Sequence, residues 1–288
     1  MSKMIGSIRL LNTYIILATG FFMMQSCSEG QSDNQASQEQ RVEIIAHRGD
    51  SHAAPENTVA SVESAWQKEA DAVEVDVYLS ADNRVMAIHD KTTERTGDKV
   101  LPVRETDSEE LRTVDVGAFK GAEFTGEKIP FLEDIIASVP DQKRLFIEVK
   151  DSERAIAPIS ELIQQSEKQD QMVIISFSLE VVKASKQQMP EVPAYWLRSA
   201  RRDQDTGAYQ PIDTALLEQV KEHNLDGLDV NYRGVSPELI EASHKAGLKL
   251  FVWTVNESAD ISTLAEQGVD GITTDRISRA QNALGRKR

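Results

Sequence analysis

One pattern governs residues 42–280: short apolar runs of strand length alternate with amphipathic stretches of helical length. That alternation yields a parallel sheet wrapped by helices. Eight strands are expected, at Val42–Ala46, Ala72–Leu79, Leu145–Val149, Met172–Ser176, Ala194–Leu197, Gly227–Val230, Lys249–Val255 and Gly271–Thr274. Helices are expected at Thr58–Lys68, Ser152–Lys168, Leu179–Gln188, Thr214–His223, Pro237–Lys245 and Ala259–Gln267. Ser236-Pro237 sets an N-cap before a first-turn proline, and Gly247 and Gly268 fall where helices should stop. Eight β/α units in roughly 250 residues have the size and order of a closed (β/α)8 barrel. An open doubly wound sheet would give similar local signals. No Gly-x-Gly-x-x-Gly or P-loop follows a strand, which removes the main support for a nucleotide-binding open sheet.

One connection departs from this rule. Only Ser80-Ala81-Asp82-Asn83-Arg84 separates the second strand from another strand-like run, Val85–Ile88. Five residues cannot hold a crossover helix, so Val85–Ile88 should return antiparallel as a hairpin arm. A turn centred at Ala81–Asp82 sets His89 opposite Glu74, and a centre one residue later sets it opposite Asp76. Either register returns the histidine beside carboxylates. The segment from Lys91 to Phe131 is irregular and long for a βα loop, a candidate lid or pocket wall.

In a barrel, side chains at the C-terminal ends of the strands build the site. His47-Arg48 follows the first strand, Glu74 and Asp76 lie in the second, His89-Asp90 ends the hairpin arm, and Glu148 and Lys150 close the next strand. Residues two apart share one face of a strand, so Glu74 pairs with Asp76 and Glu148 with Lys150. An outward face paired with surface lysines would explain one such acid. Three acids together with two strand-end histidines point to a site. Three carboxylates in a confined volume repel unless a cation neutralises them or some are protonated. An oxygen-ligated hard cation, Mg²⁺ or Ca²⁺, meets that need.

His47 and His89 would then flank a phosphodiester, one as base for the nucleophile and the other as acid for the leaving alkoxide. His47 is assigned as base and His89 as acid, and the reverse assignment is equally compatible with their positions. Arg48 and Lys150 suit the nonbridging oxygens. Glu56 is placed to orient His47 or a substrate hydroxyl, while Asn57 and Thr58 read as helix caps. His52 lies in the loop after the first strand, and His223 and His244 sit on polar helical stretches expected to face water. Phe251 reads as core, and Trp253 on the same strand face as an apolar pocket wall.

Composition narrows the partners. Against 32 Lys+Arg stand 47 Asp+Glu, a net charge of −15, which excludes a nonspecific nucleic-acid binder. Cys27 is the only cysteine, so neither an intramolecular disulfide nor a cysteine-based zinc cluster can form. No feature of the chain specifies an oligomeric state.

The first 40 residues read as addressing. Lys3 and Arg9 precede an apolar run from Leu10 to Met24, too short for a membrane span and suited to a signal-peptide core. Ser26-Cys27 at its end resembles the lipobox of bacterial lipoproteins, with Met24 and Gln25 as departures from the usual pattern. Residues 1–27 are thus expected to be a lipoprotein-type signal peptide with Cys27 lipidated. Residues 28–40 form a polar tether without large apolar residues, and residues 41–288 the catalytic domain. The expected location is the bacterial envelope, periplasmic or at the cell surface, anchored to a membrane.

His47-Arg48-Gly49 with Pro55-Glu56-Asn57-Thr58, Glu74-Val75-Asp76, His89-Asp90, Glu148-Val149-Lys150, Trp253-Thr254-Val255-Asn256 and Gly268 to Asp275 together resemble the glycerophosphodiester phosphodiesterase family. The resemblance spans residues 42–280 and implies a TIM barrel of phosphodiesterase type. It implies hydrolysis of deacylated phospholipids to sn-glycerol 3-phosphate and an alcohol, in lipid metabolism or phosphate acquisition. It also implies Glu74, Asp76 and Glu148 as ligands of one divalent cation, His47 and His89 as acid and base, Arg48 and Lys150 as phosphate contacts, and Trp253 as a pocket residue. Arg276-Ile277, where the family often has a proline, and the Asp50–Ala54 loop depart from its pattern. The alternatives are cleavage of intact lipid, phospholipase D-like or phosphatidylinositol-specific, and a lipoprotein that binds phosphodiesters without cleaving them.

Overall fold

The structure, a computed structural model, describes residues 41–286. The expected signal peptide, Cys27 and the tether lie outside the described residues. Nine strands follow in order: β1 (Glu43–Ala46), β2 (Ala72–Leu79), β3 (Val85–Ala87), β4 (Arg144–Val149), β5 (Met172–Ser176), β6 (Ala194–Arg198), β7 (Gly227–Asn231), β8 (Lys249–Trp253) and β9 (Gly271–Thr274). All but β3 are parallel, and β1 pairs with β9 on one side and β2 on the other, so the sheet closes into a (β/α)8 barrel. The open-sheet alternative is thereby excluded. Among the described residues the α-helices are α1 (Val59–Gln67), α2 (Ser108–Leu111), α3 (Leu132–Ser138), α4 (Ile156–Ser166), α5 (Leu179–Gln188), α6 (Leu216–Glu222), α7 (Pro237–Lys245), α8 (Ser258–Gln267) and α9 (Ile277–Ala283). Helices α3 and α9, seven residues each, and the single turn α2 are not among the expected helices.

Strand alternation sorts the side chains. Ile44, Ala46, Val73, Val75, Val77, Ile147 and Val149 face the helices in one continuous core. The intervening residues Ile45, Ala72, Phe146, Ile175, Tyr195, Leu197 and Phe251 fill the barrel interior. Phe146, Tyr195 and Phe251 touch edge-on or stacked, with ring centroids 4.7–6.4 Å apart, and Arg144 at the N-terminal end of β4 lies over two of these rings. This aromatic plug closes the barrel beneath the mouth. Phe251 is the core residue its position implied.

The hairpin arm forms as expected, but in a register between the two anticipated. Val77 pairs with Ala87 and Tyr78 with Met86, which would bring His89 opposite Val75 rather than Glu74 or Asp76. The cause is the turn: Ser80 N–H donates to Arg84 O, and Asn83 takes a left-handed φ of 62°, so the loop is centred on Asp82. β1 pairs with β2 only at Ala72 and Val73, which leaves the same edge free for β3 at Val77–Leu79. That extension delivers His89 to the mouth.

The excursion from Lys91 to Phe131 is a packed wall. Val103, Leu111, Val114, Val116, Ile129 and Phe131 bury a small second core against Tyr78, Met86 and Ile88 of the hairpin. Arg95 from this segment donates to Glu56 and Asp90, and Lys120 donates to Ser51 O, so the wall is pinned to the site's edge.

Candidate active site

The site begins with a sharp turn after β1. His47 N–H donates to Thr274 O, and then Arg48 and Gly49 both adopt left-handed backbone, φ 56° and 76°. A Cβ at Gly49 would lie 2.6 Å from the Ser61 backbone, so glycine is required there. The turn aims Arg48 N–H at Glu74 Oε2 (2.9 Å), while its guanidinium reaches Glu56 (2.9 Å) and Asp76 (3.1 Å).

Glu74 and Asp76 on β2 and Glu148 on β4 point inward as their spacing implied, each offering an oxygen within 4.8 Å of the others. Asp76 is fully buried, and Asn57 holds it from two sides: Asn57 Nδ2 donates to Asp76 Oδ2 (2.9 Å), and Asp76 N–H donates to Asn57 Oδ1 (3.0 Å). Asn57 therefore serves the carboxylate rather than the helix. Thr58 alone caps α1, accepting from Ser61 N–H.

The electrostatics follow from this crowding. Burial works against ionisation of Asp76, yet Arg48, Lys150 and His89 together hold its carboxyl below the usual range. Burial, then Asp76 and Glu148, push Glu74 well above it. Glu148 is pushed up to about 7 by burial and Asp76, against the pull of Lys150. Lys150 Nζ donates to Glu148 Oε1 (2.9 Å) and lies 3.5 Å from Asp76 Oδ1, an internal counter-charge. Even so, Glu74 Oε1 and Asp76 Oδ1 are buried without a hydrogen-bond partner among the described residues. Two orphaned carboxylate oxygens beside a third carboxylate are a donor set that fits one hard divalent cation.

Both histidines are held through Nδ1 by a carboxylate. His47 Nδ1 pairs with Asp275 Oδ1 at 2.7 Å, leaving Nε2 4.0 Å from Glu74 Oε2. Asp275 is fixed in turn by Asn256 Nδ2 (2.7 Å) and Ser51 Oγ (3.1 Å). Burial opposes its ionisation, but His47, Asn256 and Ser51 hold it far below the usual carboxylate range. His89 Nδ1 pairs with Asp90 Oδ1 at 2.7 Å, and its Nε2 lies 3.2 Å from Lys150 Nζ. Burial lowers the His89 pKa, and nearby Arg48 and Lys150 add to that against the pull of Asp76. Glu56 does not orient His47; it is taken up by Arg48 and Arg95, because Asp275 already occupies the ring nitrogen. His52 meets Arg276 at the rim (3.1 Å). His244 is not simply solvated, since its Nε2 pairs with Asp270 at 3.0 Å.

An inner cavity of about 230 Å³ lies against His47, Arg48, Glu74, His89, Glu148 and Lys150, with Ile175, Phe177, Leu197 and Trp253 as its apolar wall. Trp253 donates from Nε1 to Asp229 O (3.2 Å) and meets Phe177 edge-on, so it is a wall residue as its position implied. A wider polar recess of about 490 Å³ opens on the other side of His47, lined by Ser51, His52, Lys120, Asn256 and Arg276. Two further acids border the site. Asp275 was visible only as part of a motif. Asp229, buried on β7 and lining the inner cavity, carries the same mark as Glu74: an acid inside an apolar strand run, Gly227-Leu228-Asp229-Val230. Burial, then Glu148, raises its carboxyl well above the usual range.

A closed parallel barrel whose C-terminal mouth gathers three acids between two carboxylate-held histidines defines a TIM-barrel phosphodiesterase. The chain belongs to the glycerophosphoryl diester phosphodiesterase family, whose model matches residues 47–279. A glycerophosphodiester phosphodiesterase of Caldanaerobacter subterraneus subsp. tengcongensis is 33% identical over 81% of this chain and 93% of its own length. Another from Bacillus subtilis is 28% identical over 88% and 90%. Among solved structures, an Oleispira antarctica phosphodiesterase in complex with the product sn-glycerol-3-phosphate superposes with a TM-score of 0.77 at 29% identity, covering 84% of this chain and 96% of that one.

Proposed function

We propose that the enzyme hydrolyses glycerophosphodiesters, deacylated phospholipids such as glycerophosphoethanolamine, to sn-glycerol 3-phosphate and an alcohol. The observation that carries this reading is the set of three inward carboxylates lying between two histidines that are each oriented by an acid. The product complex of the Oleispira relative supports the glycerol phosphate portion. Glu74, Asp76 and Glu148 would hold one Mg²⁺ or Ca²⁺, which when bound supplies charge stabilisation at the phosphate. Arg48 and Lys150 add two fixed positive charges beside the same oxygens.

The hydrogen bonds favour the reverse of the initial acid–base assignment. Lys150 can only donate, so the His89 Nε2 facing it carries a lone pair, the state required of a base. His47 is held at Nδ1 by Asp275, turns its Nε2 toward the site, and borders both the inner cavity and the outer recess through which an alcohol can leave. We therefore assign His89 to take the proton of the hydroxyl that attacks phosphorus, from water directly or from the glycerol 2-hydroxyl with water opening the resulting cyclic phosphate, and His47 to protonate the departing alcohol. The glycerol phosphate would occupy the inner cavity and the leaving alcohol the outer recess. Glu56 contributes by fixing Arg48, and Trp253 by walling the glycerol side.

Purified residues 41–288 incubated with glycerophosphoethanolamine are expected to release sn-glycerol 3-phosphate, read by a coupled dehydrogenase assay. Release from intact phosphatidylethanolamine vesicles alone would overturn the reading. The lipobox-like Ser26-Cys27 and the polar tether support an enzyme anchored by lipid in the bacterial envelope. Accordingly, Cys27→Ser is expected to move the full-length protein from the membrane to the soluble fraction of a bacterial lysate, and unchanged partition would discredit the anchor. Among the described residues no helix is long and apolar enough to cross a membrane.

A further inference from the structure

Asp229 is 1% exposed, and its Oδ1 has no hydrogen-bond partner among the described residues. Its neighbours Leu228 and Val230 pack outward in the main core, so the Asp229 side chain faces the barrel interior. There it stands in register between Leu197 of β6 and Phe251 of β8, both apolar. On the wall formed by β5 to β8, made otherwise of Ile175, Phe177, Leu197 and Trp253, it is the one ionisable group lining the inner cavity among the described residues. A buried carboxyl without a partner destabilises the fold, and such a cost persists where a ligand completes the hydrogen bond.

We propose that Asp229 is a specificity-determining residue that binds the terminal hydroxyl of the glycerol moiety, the one furthest from the phosphate, and thereby restricts the enzyme to diesters whose glycerol is fully deacylated. This inference rests on the proposed glycerophosphodiester activity. With the phosphate among Arg48, Lys150 and the carboxylates, the far end of a three-carbon chain meets the apolar wall, where a hydroxyl would lose its water partners. Asp229 replaces them. An acyl chain at the same carbon would have to displace Leu197 or Trp253. A site built to bond a hydroxyl discriminates strongly against an analogue that lacks it, because its own polar group is then left unpaired.

The test compares three phosphoethanolamine diesters: that of glycerol, that of propane-1,2-diol, which keeps the middle hydroxyl and lacks the terminal one, and the 1-acyl lysolipid. The wild-type enzyme is expected to prefer the glycerol diester over the diol by about 10²-fold in kcat/KM, carried mainly by KM. Asp229→Leu should lower that preference to within about threefold, by weakening the glycerol diester and leaving the diol nearly unchanged, while raising the melting temperature. Asp229→Asn, of the same shape, should fall between and decides the matter if the leucine variant does not fold. A merely structural role would lower stability and slow all three substrates alike, which would overturn the inference. Equal wild-type turnover of glycerol and diol esters would also overturn it while leaving the glycerophosphodiesterase reading intact. Turnover of none of the three would instead remove that reading itself.

Discussion

Removal of divalent cations is expected to abolish turnover, by about 10²–10⁴-fold, since a cation at such a site supplies several kcal/mol of charge stabilisation in the transition state. Added Mg²⁺ or Ca²⁺ should restore it, and unaltered turnover after exhaustive chelation would defeat the assignment of Glu74, Asp76 and Glu148. The same carboxylates make a prediction that needs no substrate. Glu74 and Glu148 have pKa values raised by burial and by Asp76, Glu148 to about 7. Between the ordinary glutamate range and pH 7 the cation-free native state therefore binds more protons than the unfolded chain. Its stability should fall as pH rises across that window. A bound cation competes with those protons, so its stabilising effect should grow from pH 5 to pH 8. At a hundredfold excess over Kd the gain is about 2.7 kcal/mol, or roughly 5–10 °C in melting temperature for a domain of this size. Thermal melts with chelator and with each cation across that pH range read it directly. A shift that is absent, or largest at pH 5, would speak against a carboxylate-held cation.

How much of this was legible in the sequence depends on the range of the interaction. Strand positions were visible because inward and outward residues alternate over whole runs such as Val73 to Val77, and the same alternation placed Glu74 beside Asp76. The hairpin was visible because five residues admit no helix, yet its register was not. That depended on Asn83 adopting left-handed backbone, a one-residue choice that moves every cross-strand partner. Contacts across the chain were the least visible. Asp275 holds His47 from 228 positions away, and Asn57 holds Asp76 across a turn whose shape comes from Arg48 and Gly49. Local reading offered Asn57 as a helix cap because that is what its short-range chemistry suits, while the buried acid that claimed it came from another strand. Asp229 is legible locally, since a lone acid between strand apolar residues is as conspicuous at Leu228-Asp229-Val230 as at Val73-Glu74-Val75. What it lacks is a second acid or a histidine on the same strand face to mark a site.

Replacing either histidine should cost about 10²–10⁴-fold in kcat on glycerophosphoethanolamine, the range for loss of one positioned proton-transfer group. Near wild-type activity in His47→Ala or His89→Ala would remove that residue from the mechanism. The two losses should respond differently to the leaving group, and that difference decides the assignment. A p-nitrophenolate departs without needing a proton, so with glycerol p-nitrophenyl phosphate the His47→Ala deficit should shrink towards wild type if His47 protonates the departing alcohol. The His89→Ala deficit should persist, because the attacking hydroxyl must still lose its proton. The opposite pattern would restore the assignment read from sequence, with His47 as base. Asp275→Asn tests the support beneath His47: its Nδ1 partner would keep its shape but lose its charge, and it would no longer fix the orientation and tautomer of the ring. Its deficit should therefore track that of His47→Ala across the two leaving groups, shrinking where the proton is not needed. A deficit in Asp275→Asn that ignored the leaving group would mean that the aspartate acts on the fold of the mouth rather than through the imidazole.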